Sequence, residues 1–346
     1  MISLTQTFCR SISSKMYHNL PTKVFTKRRR LRHTVAISRE IPDSFIDAIS
    51  FHYDQSSSSS SQHDDTATAS SPDQGVSLLK SREQHTNYLN TLRQHIPNLI
   101  CLPPLESHPD CLFVEDTMIA IQDTVVLTRM GHESRRGEVD DSIKGVLNEQ
   151  LGLRNVYDMN NVEDQRLLCD DVSDEGCCDG GDVLWTGRHL FVGCSDRTNQ
   201  VGFQYLRNVF AHHHGMIEAA NVVPIPMTSL QKGADNGGGV LHLKSAVTHI
   251  DEETLLIPEG KFGDSLAEEM KVSERGYTAV RLPDVLSCNA VVVNGHVMAQ
   301  DSPCSVSKQR IEQACRERDL GLIFVDTSEL AKKDAALTCC SVLLSV

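Results

Sequence analysis

The sequence predicts an α/β fold made by radial repetition of a small unit, because one cycle of elements returns several times along the chain. A short alternating or apolar strand is followed by a second strand, a turn, a helical stretch and, in the clearest cycle, a further strand. At 346 residues the chain can bury a proper core without disulfide staples. Many short strands returning with helices between them argue against one wide parallel sheet.

The elements run as follows. His33 to Ile37 reads as a strand, followed by a proline-containing turn and a polar run from Asp54 through Asp73 with six consecutive serines. That run lacks the apolar surface to order itself and is expected as a loop inserted at about 54–73 within folded sequence. Val76 to His95 is helical in character and Leu99 to Leu102 is a strand. Thr117 to Ala120 and Val125 to Thr128 are strands ahead of a helical stretch from Val139 to Leu151. Asp182 to Leu184 and His189 to Val192 precede a helix over Thr198 to His212 and a strand over Val222 to Pro224. Leu241 to Ala246 and Thr254 to Ile257 read as strands before another helix. Ala290 to Val293 and His296 to Met298 precede a helix over Ser305 to Glu317, and the chain closes on the apolar run SVLLSV.

Charge is distributed unevenly. Residues 1–39 hold nine Lys or Arg and no acid, which leaves 24 basic against 46 acidic residues in the remainder, about −22. Such a body repels phosphate, so nucleic acid is not an expected partner. No apolar run reaches 18 residues, so no membrane-spanning helix is expected either. The first 32 residues, basic and acid-poor, have the composition of an organellar transit peptide or of a disordered tail, and the KRRR cluster at 27–30 also permits a nuclear-signal reading. The expected division is a basic extension over 1–32 and a single domain over 33–346. Twelve cysteines without paired CxxC spacing point to a reducing compartment, cytoplasmic or mitochondrial, with most thiols packed as small hydrophobes.

Neither glycine cluster cradles a nucleotide: Gly180-Gly181 precedes a strand, and Gly237 to Gly239 lies in a polar loop. The histidine run at 212–214 ends a helix, and sequence neighbours do not share a helix face, so a solvated helix end is expected in place of a metal site. Chemistry gathers instead at strand ends: Asp110 with Glu115-Asp116, Arg135-Arg136, Asp179 and Asp182, Arg197, His242, and Asp334 with Cys339. Carboxylates can hold a guanidinium, arginines an α-carboxylate, and a thiolate can attack the polarised carbon between them. His242 is placed between two leucines on an alternating strand. Cys339 and Cys340 are placed at the mouth of the last strand, where adjacent residues face opposite ways and at most one faces the centre; composition does not choose between them.

Taken together, PDCLFVEDT at 109–117, TRMGHESRRGEV at 128–139, DGGDVLWTGRHLFVGCSDRTNQVG at 179–202, LHLKS at 241–245 and LTCCSV at 337–342 closely resemble the dimethylarginine dimethylaminohydrolases of the arginine deiminase superfamily. The resemblance runs from about residue 34 to the end. It implies a five-bladed α/β propeller of ββαβ repeats, the pentein fold, with the active site in the central channel. It also implies that Cys339 is the nucleophile, His242 the proton carrier and Asp179 the carboxylate orienting it. Asp110, Glu115, Asp116 and Asp334 would surround the substrate's guanidinium and amino groups, and Arg135 and Arg197 would clamp its α-carboxylate.

The activity so implied is hydrolysis of Nω-methylated arginine to citrulline and methylamine or dimethylamine, with no cofactor and no metal, by a monomer or homodimer. Arginine deiminase, amidinotransferase and a silent protein that binds arginine derivatives are the alternatives. The Ser-rich insertion falls where the family carries its lid, and no lid residue is assigned by motif.

Overall fold

The computed structural model describes residues 32–49, 75–161, 163–164, 175–233 and 240–346. The Ser-rich run, Gly237 to Gly239 and all of the basic extension except Arg32 lie outside the described residues. Among the described residues, fifteen short strands form five three-stranded sheets. In chain order they are β1 (Val35–Arg39), β2 (Asn98–Leu102), β3 (Met118–Ile121), β4 (Thr124–Leu127), β5 (Asn155–Asp158), β6 (Val183–Trp185), β7 (Leu190–Gly193) and β8 (Val222–Ile225). They continue as β9 (Thr248–Asp251), β10 (Thr254–Pro258), β11 (Thr278–Leu282), β12 (Ala290–Val293), β13 (His296–Gln300), β14 (Gly321–Val325) and β15 (Val342–Leu344).

Each sheet has one antiparallel and one parallel pairing. In the second blade β3 runs antiparallel to β4 and β4 parallel to β5, and the third, fourth and fifth blades repeat the pattern. The antiparallel pair needs only a tight turn, whereas the parallel step needs a crossover. Helices over Leu78–Arg93, Asp141–Gly145, Gln200–Arg207, Gly260–Glu269 and Ser305–Glu317 supply the crossovers. Ser77, Asp140 and Asn199 open three of them by accepting a backbone N–H from inside the first turn, satisfying donors that have no partner within the helix.

The first blade is assembled from both ends of the domain, since β15 pairs antiparallel with β1, which pairs parallel with β2. Five apolar clusters then fill the gaps between blades. Val35 and Ile37 pack with Met118 and Val125, Ile119 and Ile121 with Val183 and Leu190, and Leu184 and Phe191 with Leu255 and Ile257. Leu256 packs with Ala290 and Val297, and Val291 and Met298 with Ala36. The last cluster joins the fifth blade to the first and closes the ring. Alternation along a strand does this: Val35 and Ile37 face one neighbour and Ala36 the other.

Two expectations need correction. Leu241 to Ala246 is not a strand: Leu243–Ala246 is one helical turn with His242 as its extended N-cap residue, and the strand starts at Thr248. The buried Asp182 carboxylate accepts the Leu243 N–H at 3.0 Å, and the Ser245 N–H returns to the His242 carbonyl at 3.1 Å. These local bonds satisfy the backbone that a neighbouring strand would otherwise have to pair. Cys339 and Cys340 likewise sit in a 3-10 turn, Thr338–Cys340, ahead of β15 and not within it. Among the described residues ten cysteines are free, and no helix is long and apolar enough to cross a membrane.

Candidate active site

One segment from each blade, ahead of that blade's first strand, carries most of the polar residues: 110–116 before β3, 179–182 before β6, 241–246 before β9, 286–289 before β12 and 334–339 before β15, while Arg135 and Arg197 follow β4 and β7. Asp110, Asp116, Arg135, Arg197, His242, Asp334 and Cys339 line one cavity, joined by Asn289 and the half-exposed Leu286. Asp179 and Glu115 stand outside its lining, each bonded to another site segment.

Asp179 is fully buried, and its Oδ2 lies 3.0 Å from His242 Nε2 while Oδ1 accepts the Gly131 N–H at 2.8 Å. The other ring nitrogen, Nδ1, lies 4.0 Å from Asp116 Oδ1. Asp116 in turn accepts from Gly181 N and Arg135 Nη1, both at 2.8 Å. The glycine matters here, because a Cβ at 181 would lie 2.7 Å from Asp116 Oδ1 and 2.8 Å from His242 Nδ1. Burial works against a charged imidazole, yet the carboxylates of Asp116, Asp179 and Asp182 outweigh it and push His242 up to about 9. The ring is therefore an imidazolium at neutral pH, held by Asp179 at one nitrogen with a second proton on the other. Asp116, Asp179 and His242 also bring one ligand-type atom each within 4.8 Å, but those atoms are engaged in the hydrogen bond and ion pair just described.

Cys339 is half-buried on the cavity wall, its N–H donating to the Ala336 carbonyl at 3.2 Å. Burial, then the negative charges of Glu115 and Asp116, push its thiol well above the ordinary range. The resting pair is thus a neutral thiol and an imidazolium. Cys340 packs into the cluster between the fifth and first blades with Leu337 and Tyr88, and burial pushes its thiol up to about 12. The structure separates the two cysteines that composition left equivalent.

Arg135 is buried, and most of its fork is committed within the protein. Nε and Nη2 donate to Glu138 at 2.9 and 2.8 Å, and Nη1 donates to Asp116. Three of its five N–H groups are engaged in these bonds, so its reach toward a ligand is narrower than the sequence implied. Glu138 is the residue that sequence reasoning missed. Its signal was its spacing, three after Arg135 in SRRGE, where the two face each other on a helical turn. Replacing Glu138 by alanine leaves a buried guanidinium short of a partner and is expected to destabilise the protein by about 3–5 kcal/mol, read as a lower urea midpoint.

Arg197 is buried and its backbone packs on Gly131, where a Cβ would meet the Arg197 carbonyl oxygen at 2.4 Å. Asp110 accepts the Ile49 N–H at 3.1 Å, and burial raises its pKa. Asp334 is exposed and adopts positive φ, 56°, at the end of a 3-10 turn. Glu115 stands outside the cavity lining and is engaged within the protein. Its Oε1 pairs with Lys244 Nζ at 2.6 Å and its Oε2 accepts Thr338 Oγ1 at 2.9 Å.

A thiol, an imidazole, three acids and two arginines share one cavity among five blades, and the architecture is that of the pentein fold. Residues 50–259 match the family model described as N,N dimethylarginine dimethylhydrolase, eukaryotic, and the chain belongs to that family. The N(G),N(G)-dimethylarginine dimethylaminohydrolase of Streptomyces coelicolor is 30% identical over 280 residues, covering 79% of this chain and 87% of the relative. Its namesake from Pseudomonas aeruginosa is 29% identical over 269 residues, covering 76% and 87%. Among solved structures, a cysteine-to-serine mutant of the Pseudomonas aeruginosa protein complexed with citrulline superposes with TM-score 0.66 at 23% identity, covering 90% of this chain and 99% of that one. The N-terminal domain of ArgZ, a cyanobacterial arginine dihydrolase, bound to substrate, superposes with TM-score 0.60 at 18% identity, covering 90% and 99%. At these identities the structural likeness carries the fold alone.

Proposed function

We propose that this chain hydrolyses Nω-methylated arginine to citrulline and methylamine or dimethylamine, with Cys339 as nucleophile, His242 as proton carrier and Asp179 holding His242. The observation that carries this reading is the shared cavity wall of Cys339, His242, Asp116 and Arg197. Family membership supports it, and the relatives in Pseudomonas and Streptomyces carry the dimethylaminohydrolase name.

The guanidinium sits against Asp116 and Asp110, which keep it cationic. Its charge offsets the acids that raise the Cys339 thiol, so binding favours loss of the thiol proton to solvent, His242 being already protonated, and formation of thiolate beside the electrophilic carbon. Cys339 Sγ bonds to that carbon. The imidazolium of His242 protonates the alkylamine as its C–N bond breaks, leaving a thiouronium on the enzyme. Neutral His242 then takes a proton from water, hydroxide adds to the carbon, and the C–S bond breaks as the added hydroxyl gives its proton to solvent, releasing citrulline and thiolate. Asp334 lies at the mouth to receive the α-amino group. Glu115 acts through Lys244 and Thr338 without touching substrate.

The test compares citrulline released from asymmetric dimethylarginine, monomethylarginine and arginine. Preference for the methylated substrates supports the reading, and preference for arginine moves the chain to the deiminases. Removing Arg197 deletes a charge-assisted contact to the α-carboxylate, so Arg197→Ala is expected to raise KM about 10- to 100-fold with a smaller change in kcat.

A further inference from the structure

Asn289 takes no part in the chemistry above, yet its amide joins the two segments that carry it. It is 2% exposed, lies between the 3-10 turn Leu286–Cys288 and β12, and contributes to the cavity wall. Its Oδ1 accepts the Thr338 N–H at 3.1 Å. Its Nδ2 donates to Thr338 Oγ1 at 2.9 Å and to the Lys244 carbonyl at 3.1 Å. Thr338 precedes Cys339, and Lys244 is two residues after His242. The chain of donors continues, with Thr338 Oγ1 donating to Glu115 Oε2 and Lys244 Nζ pairing with Glu115 Oε1.

We infer that Asn289 is a positioning residue that fixes the Cys339 turn against the His242 segment, from its place in the fifth blade. This deepens the hydrolase reading and rests on it for the roles of Cys339 and His242. Only a carboxamide serves at this reach, because one end must accept from a backbone N–H while the other donates to two oxygens. Aspartate in the same shape would set an oxygen against the Lys244 carbonyl and Thr338 Oγ1, and would add negative charge beside Glu115. Alanine would remove the three bonds without adding charge.

The experiment uses the full chain with Asn289→Asp and Asn289→Ala, each shown to be folded by its thermal transition. The pH dependence of Cys339 alkylation by iodoacetamide is followed on the peptide containing Cys339, since several other free thiols are present. Citrulline release gives kcat and KM. The expected result is a fall in kcat of about 10²-fold with KM changed far less. The alkylation midpoint should rise for Asn289→Asp, and the Cys339 alkylation rate at fixed pH should change for Asn289→Ala. Should Asn289→Asp not fold, Asn289→Ala decides. Folded variants whose Cys339 alkylation matches wild type at every pH overturn the inference. A wild-type protein that releases no citrulline overturns the hydrolase reading instead, and the alkylation comparison still decides on Asn289.

Discussion

Cys339→Ser is expected to abolish citrulline release, with a loss of at least about 10⁴-fold and an unfolding midpoint close to wild type. The serine oxygen fills nearly the same volume on the cavity wall but has no ionisation within reach of neutral pH, and a bound guanidinium cannot pull it down far enough. Cys340 offers no rescue. Its thiol packs into the apolar cluster between the fifth and first blades, and burial raises it to about 12. The complementary change, Cys340→Ser, places a hydroxyl in that cluster and is expected to act on stability and leave the nucleophile in place. Rate and unfolding curves on the two variants separate these effects.

The second large effect falls on Asp179. Asp179→Asn keeps the shape of the side chain facing His242 Nε2 but removes a buried charge and permits the wrong imidazole tautomer. By analogy with other buried carboxylates that orient a catalytic histidine, kcat is expected to fall about 10³- to 10⁴-fold. The same change alters stability with a definite sign. The native pKa of His242 is raised, from an ordinary value of 6.5 to about 9. Its contribution is therefore fully present below about pH 6.5 and is lost as pH rises through about 9, an effect of about 3 kcal/mol. Asn at 179 lowers the native pKa and shrinks that loss. Urea unfolding at about pH 6 and about pH 10 should show a smaller difference between the two conditions in the variant than in wild type. An equal difference in both would mean that Asp179 does not hold the proton on His242.

The repeating cycle was legible because strands and helices alternate with clear apolar runs, as in Val125 to Thr128 and His189 to Val192. The third strands of three blades were not. β5, β11 and β14 are mostly only half-buried, so NVYD, TAVRL and GLIFV carry no clean alternation between core and solvent. Leu241 to Ala246 misled for a different reason. Its leucines alternate with polar residues as a strand's would, and the deciding interaction is the carboxylate of Asp182, 61 positions away. Long-range bonds of this kind override local pattern.

The site was legible to a similar depth. Residue types named the chemistry, and the family blocks named Cys339 over Cys340, an assignment consistent with their burial. Asn289 stayed hidden because an asparagine in LSCNAV carries no signal until its partners are known, whereas Glu138 was missed although its spacing from Arg135 in SRRGEV offered one. Glu115 was placed around the substrate with Asp110 and Asp116 through the family resemblance of PDCLFVED. The 3-10 turn over Val114–Thr117 sends the two side chains different ways, Asp116 to the cavity and Glu115 to Lys244.

The most direct test of the account is acid quenching of the full-length protein during turnover of asymmetric dimethylarginine, followed by peptide mass spectrometry. The account predicts a thiouronium adduct on the peptide that spans Cys339, localised to that residue and absent from Cys339→Ser. Turnover with the peptide unmodified, or with the adduct on another cysteine, would contradict it.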